Sequence, residues 1–177
     1  MSANQRFTIE AVNENGEPIA PRENARLFVS QCGVIVRDNV PISIQEWNKP
    51  KVGTSYVDSR SKDFLWDTLK SHFTLPPECD ELKVKDWALK KMATQFQTFK
   101  KRLYADYIKE NKTPTFTRAL EKIKDHWPAF VAYKNSSLSA RRSEVNMENA
   151  KKKIYHHVLG TGGYKCAVQK WENPRPP

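Results

Sequence analysis

The chain has 177 residues, enough for one ordinary domain that needs no metal or disulfide staple, and its net charge of +10 points to an anionic partner. Hydrophobic residues make up only 38%, low for a compact enzyme, yet five Trp, six Tyr and eight Phe exclude a fully disordered chain and call for an aromatic core. Three cysteines that are odd in number and far apart, no leader-like N-terminus and no apolar run of bilayer length lead to the expectation of a soluble chain with reduced thiols, no membrane contact and no secretion.

Taken in chain order, residues 1–30 read as a flexible arm, because turn formers (Asn13, Asn15, Gly16, Pro18, Pro21) outnumber periodic apolar positions. The segment CGVIVRDNVPISI is β-branched but interrupted by Pro41, so the expectation is an edge strand or ordered loop leading to Trp47. In SRSKDFLWDTLKSHFTLPP, Ser59 or Ser61 could cap a helix carrying Leu65, Trp66, Leu69 and Phe73 on one face, with a double proline to stop it. From Val84 to Tyr107 apolar residues recur every three or four positions without Gly or Pro, which predicts one long amphipathic helix. Pro114 and Thr115 or Thr117 open the next helix, with Leu120, Ile123, Trp127, Phe130 and Tyr133 inward and Pro128 kinking or splitting it. The segment ARRSEVNMENAKKKIYHH is helical by propensity but polar nearly all round, and Gly160 ends it. The domain plan is thus an arm over 1–30, a helical core over 31–137, a basic helix with a glycine-rich turn over 138–165, and a tail over 166–177.

Charge is unevenly spread along this plan. Residues 1–82 carry 9 Lys/Arg against 12 Asp/Glu, whereas residues 83–154 carry 18 against 7. Two clusters echo each other: Lys90 and Lys91 with Lys100, Lys101 and Arg102, and Arg141 and Arg142 with Lys151, Lys152 and Lys153. Eleven residues make about three helical turns, so Lys90 and Lys101 share a face, as do Arg141 and Lys152, each pair about 16 Å apart. Such stripes suit a run of phosphates, and they equally suit nuclear import or a solvated helix face. Asn146 and Asn149, three apart on one face, could read polar base edges, and His156, His157 and Tyr164 could add contacts.

Other chemistries fit less well. GTGGYK is no phosphate loop, since Tyr164 separates the last glycine from Lys165 and a helix precedes rather than follows. Adjacent His156 and His157 point about 100° apart on a helix and cannot ligate one ion together, so no metal and no cofactor are expected. The acids alternate with lysines in the pattern of solvent pairs, and no spacing marks a nucleophile or general base, so the chain is read as non-catalytic.

The ordered set ISIQEW, LWDTLKSHFTLP, VKDWALKKMATQFQTFKKRLYADYI, IKDHWPAFVAYKNS and RRSEVNMENAKKKIYHHVLGTGGY resembles the plant transposase family of En/Spm (CACTA, or Ptta) elements over about residues 33–165. Trp47, Trp66, Leu69, Phe73, Trp87, Phe96, Lys100, Leu103, Trp127 and Phe130 match its packing positions. Ser136, Asn146, Asn149, Lys151, His156, His157, Gly160, Gly163 and Tyr164 match its polar C-terminal signature. The resemblance implies a nuclear, DNA-associated, transposon-derived protein, but no three-carboxylate strand-transfer site accompanies it. The spacing of the tryptophan-bearing helices is also similar to Myb or trihelix DNA-binding domains, at the level of fold analogy.

These readings converge on a mostly α-helical chain with an irregular or short-β N-terminal arm that binds DNA, in duplex form, without catalysis. The competing reading is a protein-interaction adaptor in which the long helix over about residues 84–108 docks on a partner and the lysines serve solubility and nuclear import.

Overall fold

The computed structural model of the chain describes residues 6–51 and 54–152. It is mostly α-helical, with short strands confined to two small two-stranded sheets. The chain divides into two compact units, residues 1–134 and residues 135–177.

In the first unit, β1 (Phe7–Thr8) pairs in parallel with β4 (Phe73–Thr74), and β2 (Ala11–Val12) pairs antiparallel with β3 (Pro18–Ala20). From residue 6 the arm expected to be flexible is packed onto the helices. Ile9 is fully buried, the Arg6 guanidinium donates to the carbonyls of Lys70 and Phe73, and Asn24 donates to that of Thr8. Gly16 explains why the turn between β2 and β3 fits. Its φ of +80° belongs to the left-handed region, and a Cβ there would run into the backbone of Lys83 and Val84.

The segment expected to be extended is a correction. Helix α1 runs from Arg22 to Asn39, so Cys32 to Asn39 are helical, and the domain boundary expected near residue 30 falls inside this helix. Ala25, Phe28, Cys32, Ile35 and Val36 share its buried face, which is a period of 3.6. Weak helix propensity at Val34, Ile35 and Val36 amounts to a few tenths of a kcal/mol each, on the order of the propensity scale, and burial of that face outweighs it.

Helix α2 (Ser59–His72) is capped by Asp58, whose carboxylate accepts from the Ser61 backbone N–H, rather than by either serine. That hydrogen bond also lowers the Asp58 pKa. Helix α3 (Glu81–Leu103) is the expected long helix, capped by Asp80, which accepts from Leu82 and Lys83 N–H. Its apolar face, Val84, Ala88, Met92, Phe96 and Leu103, lies wholly in the core. A single π-helical turn, Tyr104–Ile108, continues it.

The Pro114 region leads into a 3-10 helix, Arg118–His126, and then α4 (Trp127–Lys134). The change of helix type comes at Trp127, one residue before Pro128, where a missing N–H is tolerated in the first α-turn. Trp127 stacks edge-on against Tyr107 at 6.1 Å and Phe116 at 6.1 Å, and lies 5.8 Å from Phe130. Trp66 and Trp127 are buried, and Trp87 packs against the core from its edge, 6.3 Å from Phe28.

The second unit contributes α5 (Ser137–Lys151), capped by the Ser136 hydroxyl accepting from Ser139 N–H. None of its residues is buried. That is the expected result for a helix polar nearly all round.

Candidate nucleic-acid interface

Helix α3 sorts its cations by angle. Lys90, Lys101 and Arg102 are exposed, and Lys91 is half-buried with its ammonium 5.4 Å from the centre of the Trp87 ring. The ion pairs Lys70 with Glu81, Lys85 with Asp63 and Lys122 with Asp38 involve none of Lys90, Lys101 and Arg102.

Lys100 corrects the basic stripe. It is 3% exposed, its ammonium donates to the Ile44 carbonyl at 2.6 Å, and it sits 4.9 Å from the centre of the Phe96 ring. One residue is 100° of helix, so the position after the exposed face faces the core. A side chain held there cannot reach a phosphate. Burial, followed by the nearby Lys134 charge, pushes its pKa down to about 8.

Lys134 forms a second cationic feature at the end of α4. Its ammonium lies within 6 Å of three rings, Tyr104 at 5.8 Å, Phe130 at 5.7 Å and Tyr133 at 5.7 Å. Burial lowers its pKa, and Lys101 lowers it further.

On α5, Arg141, Asn146, Asn149, Lys151 and Lys152 are exposed and Arg142 is half-buried. Asn146 and Asn149 are one helical turn apart, so the helix can present both carboxamides together. The same helix exposes Leu138, Val145 and Met147. Lys153, His156, His157 and Tyr164 lie outside the described residues.

Groups suited to covalent or metal chemistry are scarce. The Cys32 thiol is buried and its pKa is pushed up to about 12 by that burial, which makes the thiolate inaccessible at neutral pH. Burial and the acids of residues 78, 80 and 81 also raise Cys79. Among the described residues no group of three or more His, Cys, Asp or Glu could hold a metal ion, and no helix is long and apolar enough to cross a membrane.

One set of polar residues escaped the sequence reading. A cavity of about 300 Å³ between α1 and α3 is lined by Ser30, Gly33 and Arg37 on one side and Gln95, Thr98, Phe99 and Arg102 on the other. Its signal was present as matching spacings, 30, 33, 37 and 95, 98, 102, but it becomes visible only once residues 32–39 are read as helix. The chain matches no family model, no curated protein and no solved structure.

Proposed function

We propose that the chain is a non-catalytic, nuclear DNA-binding protein of plant CACTA-transposase descent that grips duplex phosphates through exposed cations. The observation that carries this reading is the outward set Lys90, Lys101 and Arg102 on α3, which stands apart from the ion pairs of the described residues in the half of the chain that holds the charge excess. Arg141, Lys151 and Lys152 extend the same chemistry on α5, and Asn146 with Asn149 supply side chains able to bond base edges. Duplex binding by phosphate neutralisation gives a log-log salt slope of about −0.9 per phosphate. Replacing Lys90, Lys101 and Arg102 together by Gln should therefore flatten that slope by about 2 to 3 in fluorescence anisotropy with a labelled random duplex. An unchanged slope and affinity would refute the grip.

A second reading, adaptor rather than nucleic-acid binder, moves from α3 to α5. The apolar face of α3 is used up inside the first unit, whereas Leu138 and Val145, seven residues apart on one face of α5, are 46% and 48% exposed. Absence of duplex binding at low salt favours this reading, and its own signature is partner affinity that barely changes with salt.

A further inference from the structure

The outer side of α3 carries one continuous exposed strip. Lys83, Lys90, Thr94, Gln97 and Lys101 are all exposed, and at about 100° per residue they fall within about 60° of arc, opposite Ala88 and Met92 in the core. Asp86 stands one turn before Lys90, and the residues that follow it, 87–103, contain no Asp or Glu. The acid–lysine alternation of a solvated helix face, which Glu81 and Lys85 begin on this helix, therefore stops at Lys90 and is not resumed before Asp106.

Between its cations the strip is uncharged and rich in hydrogen-bonding groups. Thr94 and Thr98 spend their hydroxyl protons on the carbonyls of Lys90 and Thr94, at 3.0 and 2.9 Å, and keep oxygen lone pairs and methyl groups to offer. The Gln97 carboxamide, one turn on from Thr94, is exposed and brings both donors and an acceptor at its tip. Lys90 and Lys101 lie about 16 Å apart along the axis. The major groove of B-DNA is about 12 Å wide and admits an α-helix. A helix seated there on Thr94 and Gln97 brings a lysine at either end to the flanking phosphates. Its other side is fixed, since Ala88, Met92 and Phe96 are buried, and base reading needs such a rigid support.

We infer that α3 is a base-reading element, in which Gln97 contacts one adenine in the major groove of duplex DNA while Lys90 and Lys101 hold the phosphates on either side. The carboxamide matches that base with two bonds: its Nε2 donates to N7, and its Oε1 accepts from the N6 amino group. Thr94 offers its methyl group to a neighbouring thymine. The inference rests on the duplex-binding reading and goes beyond it, because phosphate contacts fix position and carry no sequence information. It also assigns sequence reading to a helix of the first unit, independently of α5.

The test is selection of duplexes from a random pool by the full chain and by Gln97→Ala, followed by fluorescence anisotropy on the selected duplex and a scrambled one. Alanine is a strong helix former, so the variant keeps its fold, and circular dichroism checks this. The parent should enrich a site with one adenine at which 7-deazaadenine, which lacks N7, weakens binding about tenfold. Gln97→Ala should bind the selected duplex about tenfold more weakly and lose its sensitivity to 7-deazaadenine, while keeping the parent's affinity and salt slope on the scrambled duplex. Gln97→Lys should move the preference at that position from adenine to guanine, because lysine pairs with O6 and N7. Enrichment of the same site by Gln97→Ala at the parent's affinity overturns the inference. So does an equal loss on selected and scrambled duplexes, which marks a phosphate contact. Duplex binding by the parent without enrichment of any site overturns it too, and leaves the grip standing. No binding of any duplex at about 50 mM salt overturns both readings.

Discussion

Lys100 is the residue whose replacement says most about how this core is held. It sits in the core at 3% exposure, donates to the Ile44 carbonyl, and has Lys134 and Glu46 as charged neighbours of opposite effect. Its pKa falls from an ordinary 10.5 to about 8, so at pH 7 the native protein still carries the proton. A depressed lysine pKa means the unfolded chain binds that proton more tightly than the native one. Stability therefore rises with pH between about 8 and 10.5, by about 3 kcal/mol at roughly 1.4 kcal/mol per unit. Below pH 8 the whole penalty is present. Lys100→Met removes the penalty and the hydrogen bond together, and a charged hydrogen bond offsets about 1.5–3 kcal/mol. The Met variant should then be more stable than the parent by about 1 kcal/mol at pH 7 and less stable by about 1–2 kcal/mol near pH 10.5. Urea unfolding followed by tryptophan fluorescence at pH 7, 9 and 10.5 measures both differences. Lys134→Gln should raise the pH at which stability begins to climb and reduce the total rise, since it removes the repelling charge and brings the Lys100 pKa back toward 10.5. A stability difference between parent and Lys100→Met that stays constant across this range would refute the reasoning, because an uncharged or solvated Lys100 produces no such pH dependence.

Gly16→Ala should cost about 3 kcal/mol, combining the left-handed φ with a collision against the α3 backbone, and thermal unfolding should show it as a large drop in Tm. Removing the α3 cap with Asp80→Ala should cost about 1 kcal/mol in the urea midpoint, with an unchanged m-value. Arg118 has a φ of +51° at the start of the 3-10 helix, so Arg118→Gly should raise stability by up to about 1 kcal/mol, and a lowered urea midpoint would contradict that. Asn146→Ala or Asn149→Ala should change which duplexes are selected from a random pool while leaving the salt slope in place; an unaltered selection would remove base reading from α5.

How far the sequence speaks for itself depends on whether a residue's neighbours lie close in the chain. The helices α2 and α3 were legible because Leu65, Trp66 and Leu69, and Val84 to Leu103, repeat at helical period over several turns. Helix α1 was missed at Val34, Ile35 and Val36, where local propensity and tertiary burial disagree and only partners from α3 decide. The arm was misread for a similar reason: Ile9 and Gly16 look unremarkable until Thr74 and Lys83 are brought beside them. Lys100 illustrates the limit at a single site, since one step along the helix from an exposed lysine is enough to bury another. The cavity residues were hidden twice over, by the wrong element for α1 and by a contact between helices that no spacing within either one reveals.

The parallel pairing of β1 with β4 gives this helical chain a folding problem that helical bundles usually avoid. Arg6 reaches the Phe73 carbonyl across 67 residues of sequence, and Ile9 N–H reaches Thr74, so the first strand docks only after α1 and α2 have brought position 73 into place. Closing so long a loop is entropically costly before it yields any contact, which places the docking of β1 late in folding, after the local contacts of the helices. Mutations that weaken β1 or the Arg6 bonds should therefore act chiefly on the unfolding rate, because a strand that docks last is absent from the transition state.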